Sequence, residues 1–573
     1  MNKEKCFKIL CYVEFIASIL FSLICINFRL DLSLLAFPVA AIFSSLVIYF
    51  GFFKLLKTQD ASKCFVFYKL TQYLPFVMFF SFIVRRAGKY GTSFFYDFIS
   101  VILWVAIFAS CMAISYYLNP KRIKKMLPSY KTNAEKKKKF SPFGKLCYEV
   151  VDWVDALVQA VFMVLLLQIF VVQLYLIPSE SMVPQFLIGD RVAVTKINCG
   201  PKFPLTDVGL PPLTKYKRGD VVVLRNPHYR IDRQSEVKSV VSQLVYMLSI
   251  MTVNLNTDDN GNLKYDPLVK RICGQPGEQL VMQDGVLYAR TKESNEFKPV
   301  ELDNKYATWN LNALNNNVKD GVRDLRMSPS DYQNILNLEE ERRNIDLNDA
   351  AEQALQYVEQ VKSFATNDLS ASFTPPTLHS MYFLQSIAPV AAELAYSQEG
   401  LDWFEKFMTS WINQKDNERD IYEQANFTMN VMMKNDFGKL VALCSKLLAN
   451  GTPYASLEND PQVKELFDNL IVKVWYVASI LDERNMPVFP ANKENGDAQY
   501  IPQNCYFMMG DNRFNSLDLR HSNDSFEKEL TKDDPLSLTY TSMISPQYIN
   551  QKLIVGKPVL TIWPLNRTGK IQK

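Results

Sequence analysis

The stretch Leu176-Ile177-Pro178-Ser179-Glu180-Ser181-Met182-Val183-Pro184 decides how the chain is organised, because it directly follows an apolar run over about 155–176. An apolar run of that length can cross a bilayer as a helix. Two serines would therefore leave the membrane within a few residues of the lipid. A soluble hydrolase has no reason to place a candidate nucleophile there, whereas an enzyme whose substrate is itself inserted in the membrane does.

Four further apolar stretches precede this one. The five candidate spans cover roughly 6–28, 33–53, 64–84, 98–118 and 153–177. Each is close to the ~20 residues that a helical crossing needs. The third is the weakest, because Lys69 lies inside it, although a lysine near the end of a span can extend its charged end to the interface.

A basic segment separates the fourth span from the fifth. Ten basic residues and one acid lie between Lys121 and Lys145. Such a block can bind nucleic acid, but apolar segments of membrane length flank it, which favours a cytoplasmic loop under the positive-inside rule. The N-terminus would then be inside and everything after Ile177 outside. Arg85 and Arg86 would face outward, against the same rule.

After Ile177 the sequence changes to short β-branched runs. They cover Arg191–Lys196, Asp220–Arg225, Leu268–Cys273 and Gln279–Met282. Glycine, proline and aspartate bound them, as is typical of strands joined by turns. The pattern predicts an antiparallel, barrel-like β domain.

A helical pattern interrupts these strands between about Ser328 and Arg484. Apolar residues recur there with helical period, and Asp346 precedes the first such run as an expected cap. We therefore expect an appended helical domain. The predicted divisions are four transmembrane helices in 1–120, a basic cytoplasmic loop at 121–150, a fifth transmembrane helix at 151–177, a β domain at 178–303 and 500–573, and a mainly helical insertion at 304–499.

Histidine is scarce, since the chain has His228, His379 and His521 alone. None lies in a setting typical of a catalytic triad, so a surface role is favoured for each. A serine can instead be activated by a lysine whose pKa is lowered by burial. Lys270 and Arg271 are adjacent on a predicted strand, so one can face a dry site and the other water. On spacing alone, two solvated residues on an edge strand remain the alternative.

The ten cysteines have no metal-ligand spacing and no pairing with histidine, so neither a metal nor another cofactor is expected. Cys199, Cys273, Cys444 and Cys505 would lie outside the membrane, where disulfides can form. The sequence does not say which of them pair.

Four blocks stand in the order found in the bacterial type I signal peptidases, or leader peptidases, which the chain resembles. They are Ile177–Asp190, Lys217–Leu224, Leu268–Glu278 and Tyr506–Arg520, with a weaker match at Leu553–Pro564. The resemblance covers roughly 155–282 and 500–570, and neither the first four spans nor the helical insertion.

The resemblance implies a serine endopeptidase with a Ser-Lys dyad. Ser181 matches the nucleophile and Lys270 the general base. Ser179 matches the hydroxyl that helps to stabilise the oxyanion, and Ser516 the hydroxyl that orients the lysine through a hydrogen bond. The other implied site residues are the ion pair of Asp518 and Arg520, the supporting Arg271, the tight turn of Gly510, Asp511, Asn512 and Arg513, and the substrate contacts Ile177, Pro178, Met182 and Pro184.

Three features depart from the family pattern. Phe514 stands where an acid is usual, a polar insertion begins at His521, and the helical insertion is larger than the family's second domain. None involves the implied nucleophile or base, so activity is expected.

The implied function is a multi-pass signal peptidase of the bacterial cytoplasmic membrane with its active site on the outer face. It would remove signal peptides from exported preproteins after small residues, with the substrate bound as an added β-strand. The expected partners are preproteins and the bilayer, not nucleic acid, with a further protein at the helical insertion. The alternatives are a catalytically silent membrane scaffold and a self-cleaving Ser-Lys regulatory protease.

Overall fold

The structure is a computed structural model. It describes residues 3–28, 30–58, 61–88, 92–118, 122, 142–227, 233–249, 253, 255, 267–376, 379–412 and 419–571. Most of the predicted cytoplasmic loop and His228 lie outside these residues.

Five helices among the described residues are long and apolar enough to cross a membrane. They cover Glu4–Ile24, Leu32–Lys57, Cys64–Arg86, Phe94–Tyr117 and Phe143–Phe170, and we label them α1 to α5. The five predicted apolar helices are thus confirmed as helices. Their outward surfaces carry many large apolar side chains, such as Ile16, Ile42 and Leu157, as is typical of surfaces that face lipid.

The first four of these helices pack into a bundle, and α5 lies against one side of it. Trp104 Nε1 on α4 donates to the Pro75 carbonyl on α3 over 2.9 Å. Phe162 on α5 packs on Phe76 with ring centroids 3.8 Å apart. Lys69, the residue that weakened the third predicted span, forms an ion pair with Asp155 on α5. A charge inside the third helix is therefore compensated by one inside the fifth.

The predicted end of the fifth span is wrong. The helix begins near Pro142 and ends at Phe170, and Val172–Leu176 form a strand instead. This strand, β1, pairs antiparallel with Arg191–Thr195, so Leu176 lies opposite Arg191. A short apolar run satisfies a helix and a strand equally well, and here pairing with a later segment decides between them.

A curled antiparallel sheet follows, as predicted. Its strands are β1, β2 (Arg191–Thr195), β3 (Val221–Leu224), β4 (Leu268–Gly274), β9 (Cys505–Met509), β12 (Ile549–Asn550), β13 (Ile554–Trp563) and β14 (Gly569–Lys570). The strand order is β1-β2-β13-β3-β4-β9-β12, with β14 on β13. A second sheet has the order β7-β6-β5-β8, with β5 at Glu278–Gln283, β6 at Val286–Thr291, β7 at Lys298–Pro299 and β8 at Met486–Phe489. A helix that the sequence analysis missed, Arg233–Leu248, lies between β3 and β4.

The insertion is helical, as predicted. Its helices are Glu301–Tyr306, Asn316–Lys319, Pro329–Arg343, Leu347–Phe364, Ile387–Leu394, Gln398–Thr409, Ile421–Ala449, Pro461–Ser479 and Leu481–Arg484. Asp346 caps its helix by accepting from the backbone N–H groups of Asn348 and Asp349, which confirms the expected cap. The helix Ile421–Ala449 runs through the middle and buries most of its residues.

The polar segment after Arg520 forms a hairpin that belongs with the helical insertion. Its strands are β10 (His521–Glu529) and β11 (Thr539–Ile544). Leu530, Leu538 and Tyr540 lie in the hydrophobic core of the insertion. In the turn of the hairpin, Asp534 accepts from Lys434 over 2.5 Å, and both side chains are completely buried. The helical domain is therefore built from two separate parts of the chain.

Candidate active site

The structure brings Ser181 and Lys270 together. Ser181 lies in the turn that follows β1, and Lys270 lies on β4. The Lys270 ammonium donates to Ser181 Oγ over 3.0 Å. Because this contact joins residues 89 positions apart in the sequence, it depends on the sheet that places β1 and β4 in one domain.

Lys270 is buried on β4, an interior strand of its sheet. It lies between β3 and β9, and Val222 is the residue opposite Lys270 on β3. Only 3% of the lysine is exposed. This burial lowers the pKa of Lys270 from 10.5 to about 8. The negative charge of Asp518 raises the pKa, and the positive charge of Arg520 lowers it further. A lysine in this state can lose its proton near neutral pH and then accept one from a serine hydroxyl.

The expectation that the neighbour of Lys270 faces water is wrong. Arg271 is buried, and its guanidinium donates to both carboxylate oxygens of Asp511 over 2.7 and 2.6 Å. It also donates to the Gly219 carbonyl and stacks on the Tyr306 ring at 3.8 Å. The alternative of two solvated residues on an edge strand fails as well, because β4 has paired strands on both sides and both side chains are buried.

The turn after β9 holds the serine in place. The Asn512 backbone N–H donates to the Ser181 carbonyl over 3.1 Å, and the Asn512 side-chain amide donates to the Glu180 carbonyl over 3.1 Å. A Cβ on Gly510 would lie 2.4 Å from the Ser181 carbonyl oxygen and 2.2 Å from Ser516 Oγ. The loop with the serine can therefore approach this turn only because residue 510 has no side chain.

The hydrogen bond expected from Ser516 to Lys270 is absent. Ser516 Oγ is buried and has no hydrogen-bond partner among the residues that the structure describes. The Lys270 ammonium donates to Ser181 instead. Ser516 nevertheless lies beside Gly510, at the edge of the same turn.

The expected oxyanion and substrate residues differ in exposure. Ser179 is exposed, and its hydroxyl donates to Ser181 Oγ over 3.4 Å. Ile177 and Met182 are buried in a small apolar cluster, so their side chains hold the loop in place and offer little surface to a substrate. Pro178 is exposed and Pro184 is half-buried.

Three buried arginine–aspartate pairs involve the turn after β9 or the strand β4. Besides the pair of Arg271 and Asp511, the pairs are Arg520 with Asp518 at 2.9 Å and Arg513 with Asp303 at 2.6 Å. Burial alone would raise the pKa of Asp518, but Arg520 holds it well below its usual range. The Asp518 carboxylate also accepts from the Gly510 backbone N–H over 2.9 Å. Charged carboxylates thus fix the turn that faces the serine.

Sequence reasoning missed Glu180, which lies between the two serines. It is 5% exposed, and its carboxylate accepts from the backbone N–H groups of Arg323 and Asp324 over 2.5 and 3.3 Å. The serine loop is thereby tied to the first part of the helical insertion. In the sequence, Glu180 is recognisable only as an acidic residue between two candidate site residues, and nothing there indicates which groups it binds.

The two described histidines do not hydrogen-bond with Ser181. His521 is buried, contrary to the predicted surface role, and its ring lies 3.7 Å from Glu483. Burial lowers the pKa of His521 to about 4, assisted by Arg520. His379 is half-buried and stacks on Trp403 and Phe407 in the helical insertion.

All ten cysteines are free. Within the described part of the chain, no three histidine, cysteine, aspartate or glutamate side chains form a group that could hold a metal ion.

Comparison with known proteins points to one family. The family described as signal peptidase, peptidase S26, matches residues 150–365. Signal peptidase I of Buchnera aphidicola subsp. Schizaphis graminum is 38% identical over 71 residues, which are 12% of this chain and 23% of that protein. Signal peptidase I of Haemophilus influenzae is 25% identical over 169 residues, or 30% of this chain and 45% of that protein.

A relative from Bacillus subtilis matches in the same way. Signal peptidase I P of Bacillus subtilis subsp. natto is 25% identical over 147 residues, which are 26% of this chain and 54% of that protein. The chain therefore aligns with between 23% and 54% of the length of these three relatives. The matched range 150–365 includes both Ser181 and Lys270. The relatives, too, are described as signal peptidases. Residues 150–365 are therefore similar to the signal peptidases of family S26.

Proposed function

We propose that this protein is a membrane-bound signal peptidase that uses Ser181 as its nucleophile and Lys270 as its general base. The observation that carries the proposal is the 3.0 Å contact between a serine hydroxyl and a buried lysine whose pKa is lowered to about 8. At neutral pH a useful fraction of such a lysine is uncharged, whereas an ordinary solvated lysine is almost entirely protonated.

The chemistry follows from this pair. Neutral Lys270 takes the proton of Ser181 Oγ while the oxygen attacks the carbonyl carbon of the scissile peptide bond. The resulting ammonium returns the proton to the leaving amine, so that the bond breaks and an ester on Ser181 remains. Lys270 then takes a proton from water, whose oxygen attacks the ester carbonyl. The ester bond breaks, the proton passes from Lys270 to Ser181 Oγ, and the signal peptide leaves with its new carboxyl group.

The negative oxygen of each tetrahedral intermediate needs hydrogen-bond donors. We assign this role to the Ser181 backbone N–H and the Ser179 hydroxyl. Ser179 is exposed and lies 3.4 Å from Ser181 Oγ, so it is free to rotate toward a bound substrate. The buried Asp518 and Arg520 pair supports the site from behind, because Asp518 fixes the Gly510 N–H.

The proposed substrates are preproteins whose signal peptides remain in the bilayer. An extended substrate would add as a strand, since β1 is the terminal strand in the order of its sheet. The strand β1 leads directly from the last apolar helix to Ser181, so the cleavage site of an inserted signal peptide would meet the serine near the lipid surface. A silent scaffold has no use for the contact between Ser181 and Lys270, and a self-cleaving regulator has no use for five apolar helices.

The proposed topology has five spans, a cytoplasmic N-terminus and an extracytoplasmic β domain. Arg86, which would break the positive-inside rule, forms an ion pair with Asp97 over 3.2 Å, and both side chains are buried. Arg86 also donates to the Leu205 carbonyl in the β domain. The charge is thereby compensated, and the α3–α4 end of the bundle lies against the β domain. Both observations support an orientation in which that end is outside.

The activity test uses the full-length protein in detergent with a purified preprotein. Ser181→Ala and Lys270→Ala should each abolish cleavage, and the double variant should be little worse than either single variant because the two groups act as a unit. The matched control is Lys298→Ala, which alters an exposed lysine on β7. Retained turnover in Lys270→Ala would refute the dyad.

The topology test uses single cysteines on a background without the native ones. A cysteine placed in 121–145 should resist an impermeant thiol reagent in intact cells, and one placed in 328–484 should react. The reverse labelling pattern would overturn the orientation and, with it, the access of exported preproteins to Ser181.

A further inference from the structure

A cavity of ≈ 550 Å³ lies at the junction of the helical bundle and the β domain. Its lining comes from Ile169 at the end of α5, the loop 200–207, Arg225 and Asn226 after β3, the helix Arg233–Leu248, and residues 552–555. Ser181 and Lys270 are not part of this lining. The cavity is thus separate from the proposed catalytic site.

One wall of the cavity reaches into the helical bundle. Phe203 lies in the lining, and its ring centroid is 4.8 Å from that of Phe170 on α5 and 5.4 Å from that of Trp104 on α4. Phe203 and Leu205 belong to the same hydrophobic core as α1 to α4. Under the proposed membrane placement, this wall therefore lies at the level where the acyl chains of the outer leaflet begin.

The lining also has a cationic part. It carries four basic side chains (Lys196, Lys202, Arg225 and Lys552) and two acidic ones (Asp207 and Glu236), which leaves a net charge of 4 − 2 = +2. Two of the cations have acidic partners, because Lys202 pairs with Asp207 at 2.7 Å and Arg225 with Glu236 at 2.9 Å.

Of the two remaining cations, Lys552 is exposed and Lys196 is buried. It is 8% exposed, and its ammonium donates to the neutral side-chain amide oxygen of Gln173. Among the described residues no carboxylate forms an ion pair with it. Burial lowers the pKa of Lys196 to about 8, and the nearby positive charge of Arg225 lowers it further. Lys196 therefore favours an anion in this half-enclosed cavity, since a buried unpaired charge is unfavourable. Arg225, whose charge is shared with Glu236, lies close enough to act on Lys196.

We propose that this cavity binds an anionic phospholipid of the outer leaflet, with its phosphodiester between Lys196 and Arg225 and an acyl chain along Ile169 and Phe203. The combination of a cationic wall and an apolar wall is what a phospholipid requires, whereas an inorganic phosphate would use the cationic wall alone. The volume also lies within the range of small-molecule sites, about 300–1,000 Å³. The proposal rests on the proposed membrane placement but not on the proposed catalytic mechanism.

The experiment is a binding titration of the full-length protein in nanodiscs of phosphatidylcholine with increasing phosphatidylglycerol, read out by native mass spectrometry. The double variant Lys196→Gln/Arg225→Gln should weaken phosphatidylglycerol binding at least tenfold, because two charge-assisted hydrogen bonds to the phosphate are lost. The control Lys292→Gln/Lys298→Gln removes the same charge at exposed sites on another sheet and should change the affinity less than twofold.

Three results decide the proposal. Equal affinity in the cavity variant and the wild type would overturn it, and so would an equal loss in the control, which would show a diffuse charge effect. Displacement of phosphatidylglycerol by millimolar inorganic phosphate would also overturn it, in favour of a site filled from water. Should the double variant fail to fold, Arg225→Gln alone must weaken binding at least threefold, because Arg225 is half-exposed and its replacement does not disturb the core. Since the readout is bound lipid, a failure here leaves the cleavage test with Ser181→Ala unaffected.

Discussion

Replacing Lys270 by methionine should make the protein more stable while abolishing cleavage. The folded protein holds the pKa of Lys270 at about 8 in place of 10.5, chiefly through burial. The unfolded chain binds the proton of Lys270 more tightly than the folded protein does. Lys270 therefore lowers the free energy of unfolding below pH 8, and this penalty disappears as the pH rises through 10.5. At pH 7 the difference corresponds to about 3 kcal/mol of lost stability. Methionine fills a similar volume without a charge and loses only the hydrogen bond to Ser181, worth about 1 kcal/mol. The expected net gain is therefore about 2 kcal/mol.

Hydrogen exchange followed by mass spectrometry can measure this gain locally, which avoids treating a multidomain protein as two-state. The amides of Val221–Leu224 and Leu268–Gly274 should exchange roughly 30-fold more slowly in Lys270→Met at pH 7 than in the wild type. At pH 9 the penalty in the wild type falls to about 2 kcal/mol, so the gain should shrink by about 1 kcal/mol. Lys298→Met on β7 provides the matched control and should change nothing. Faster exchange in Lys270→Met, or a gain that does not depend on pH, would refute the reasoning.

Three further predictions concern the site and the insertion. The kcat/KM for a peptide substrate should rise about tenfold per pH unit up to the pKa of Lys270 near 8 and then level off, and a midpoint near 6.5 would indicate a histidine base instead. Glu180→Gln should lower kcat/KM about tenfold, because it weakens the hydrogen bonds that tie the serine loop to the insertion. The control Glu296→Gln, at an exposed position, should leave kcat/KM unchanged. Equal activity of the two variants would contradict a positioning role for Glu180. Replacing both 328–484 and 521–544 by short linkers should leave a monomeric protein that cleaves the peptide. A protein that lacks 328–484 alone should elute as an aggregate on size-exclusion chromatography, because the apolar residues of the hairpin become exposed. A soluble product from the single deletion would show that the hairpin is independent of the insertion.

The strands around the site were predictable because their sequences are locally consistent. The predicted run Arg191–Lys196 corresponds to β2, which covers Arg191–Thr195, and Leu268–Cys273 corresponds to β4, which covers Leu268–Gly274. β-branched residues bounded by turn residues leave few alternatives to a strand. The approach of Ser181 to Lys270 was predictable only through the resemblance of whole blocks, since neither residue stands out by its spacing.

Features that depend on distant pairing were not predictable. The run Val172–Leu176 is apolar enough to continue the preceding helix, and only its pairing with β2 makes it a strand. Arg271 is buried against Asp511, 240 residues later in the chain, which is why its burial was missed. The hairpin after Arg520 carries a polar sequence, and its attachment to the insertion depends on the buried contact of Asp534 with Lys434, 100 residues away.

The surroundings of Lys270 explain why its pKa responds mainly to burial. Asp518 and Asp511 would raise that pKa and Arg520 lowers it, so the charges oppose one another and desolvation is the largest effect. This balance exists because each nearby carboxylate is bound by its own arginine, as Asp511 is by Arg271. Removing one arginine would leave a bare carboxylate beside the lysine and stabilise its charged form. The paired charges therefore do more than hold the turn: they leave the lysine in surroundings that favour its neutral form, the form in which it can accept the serine proton.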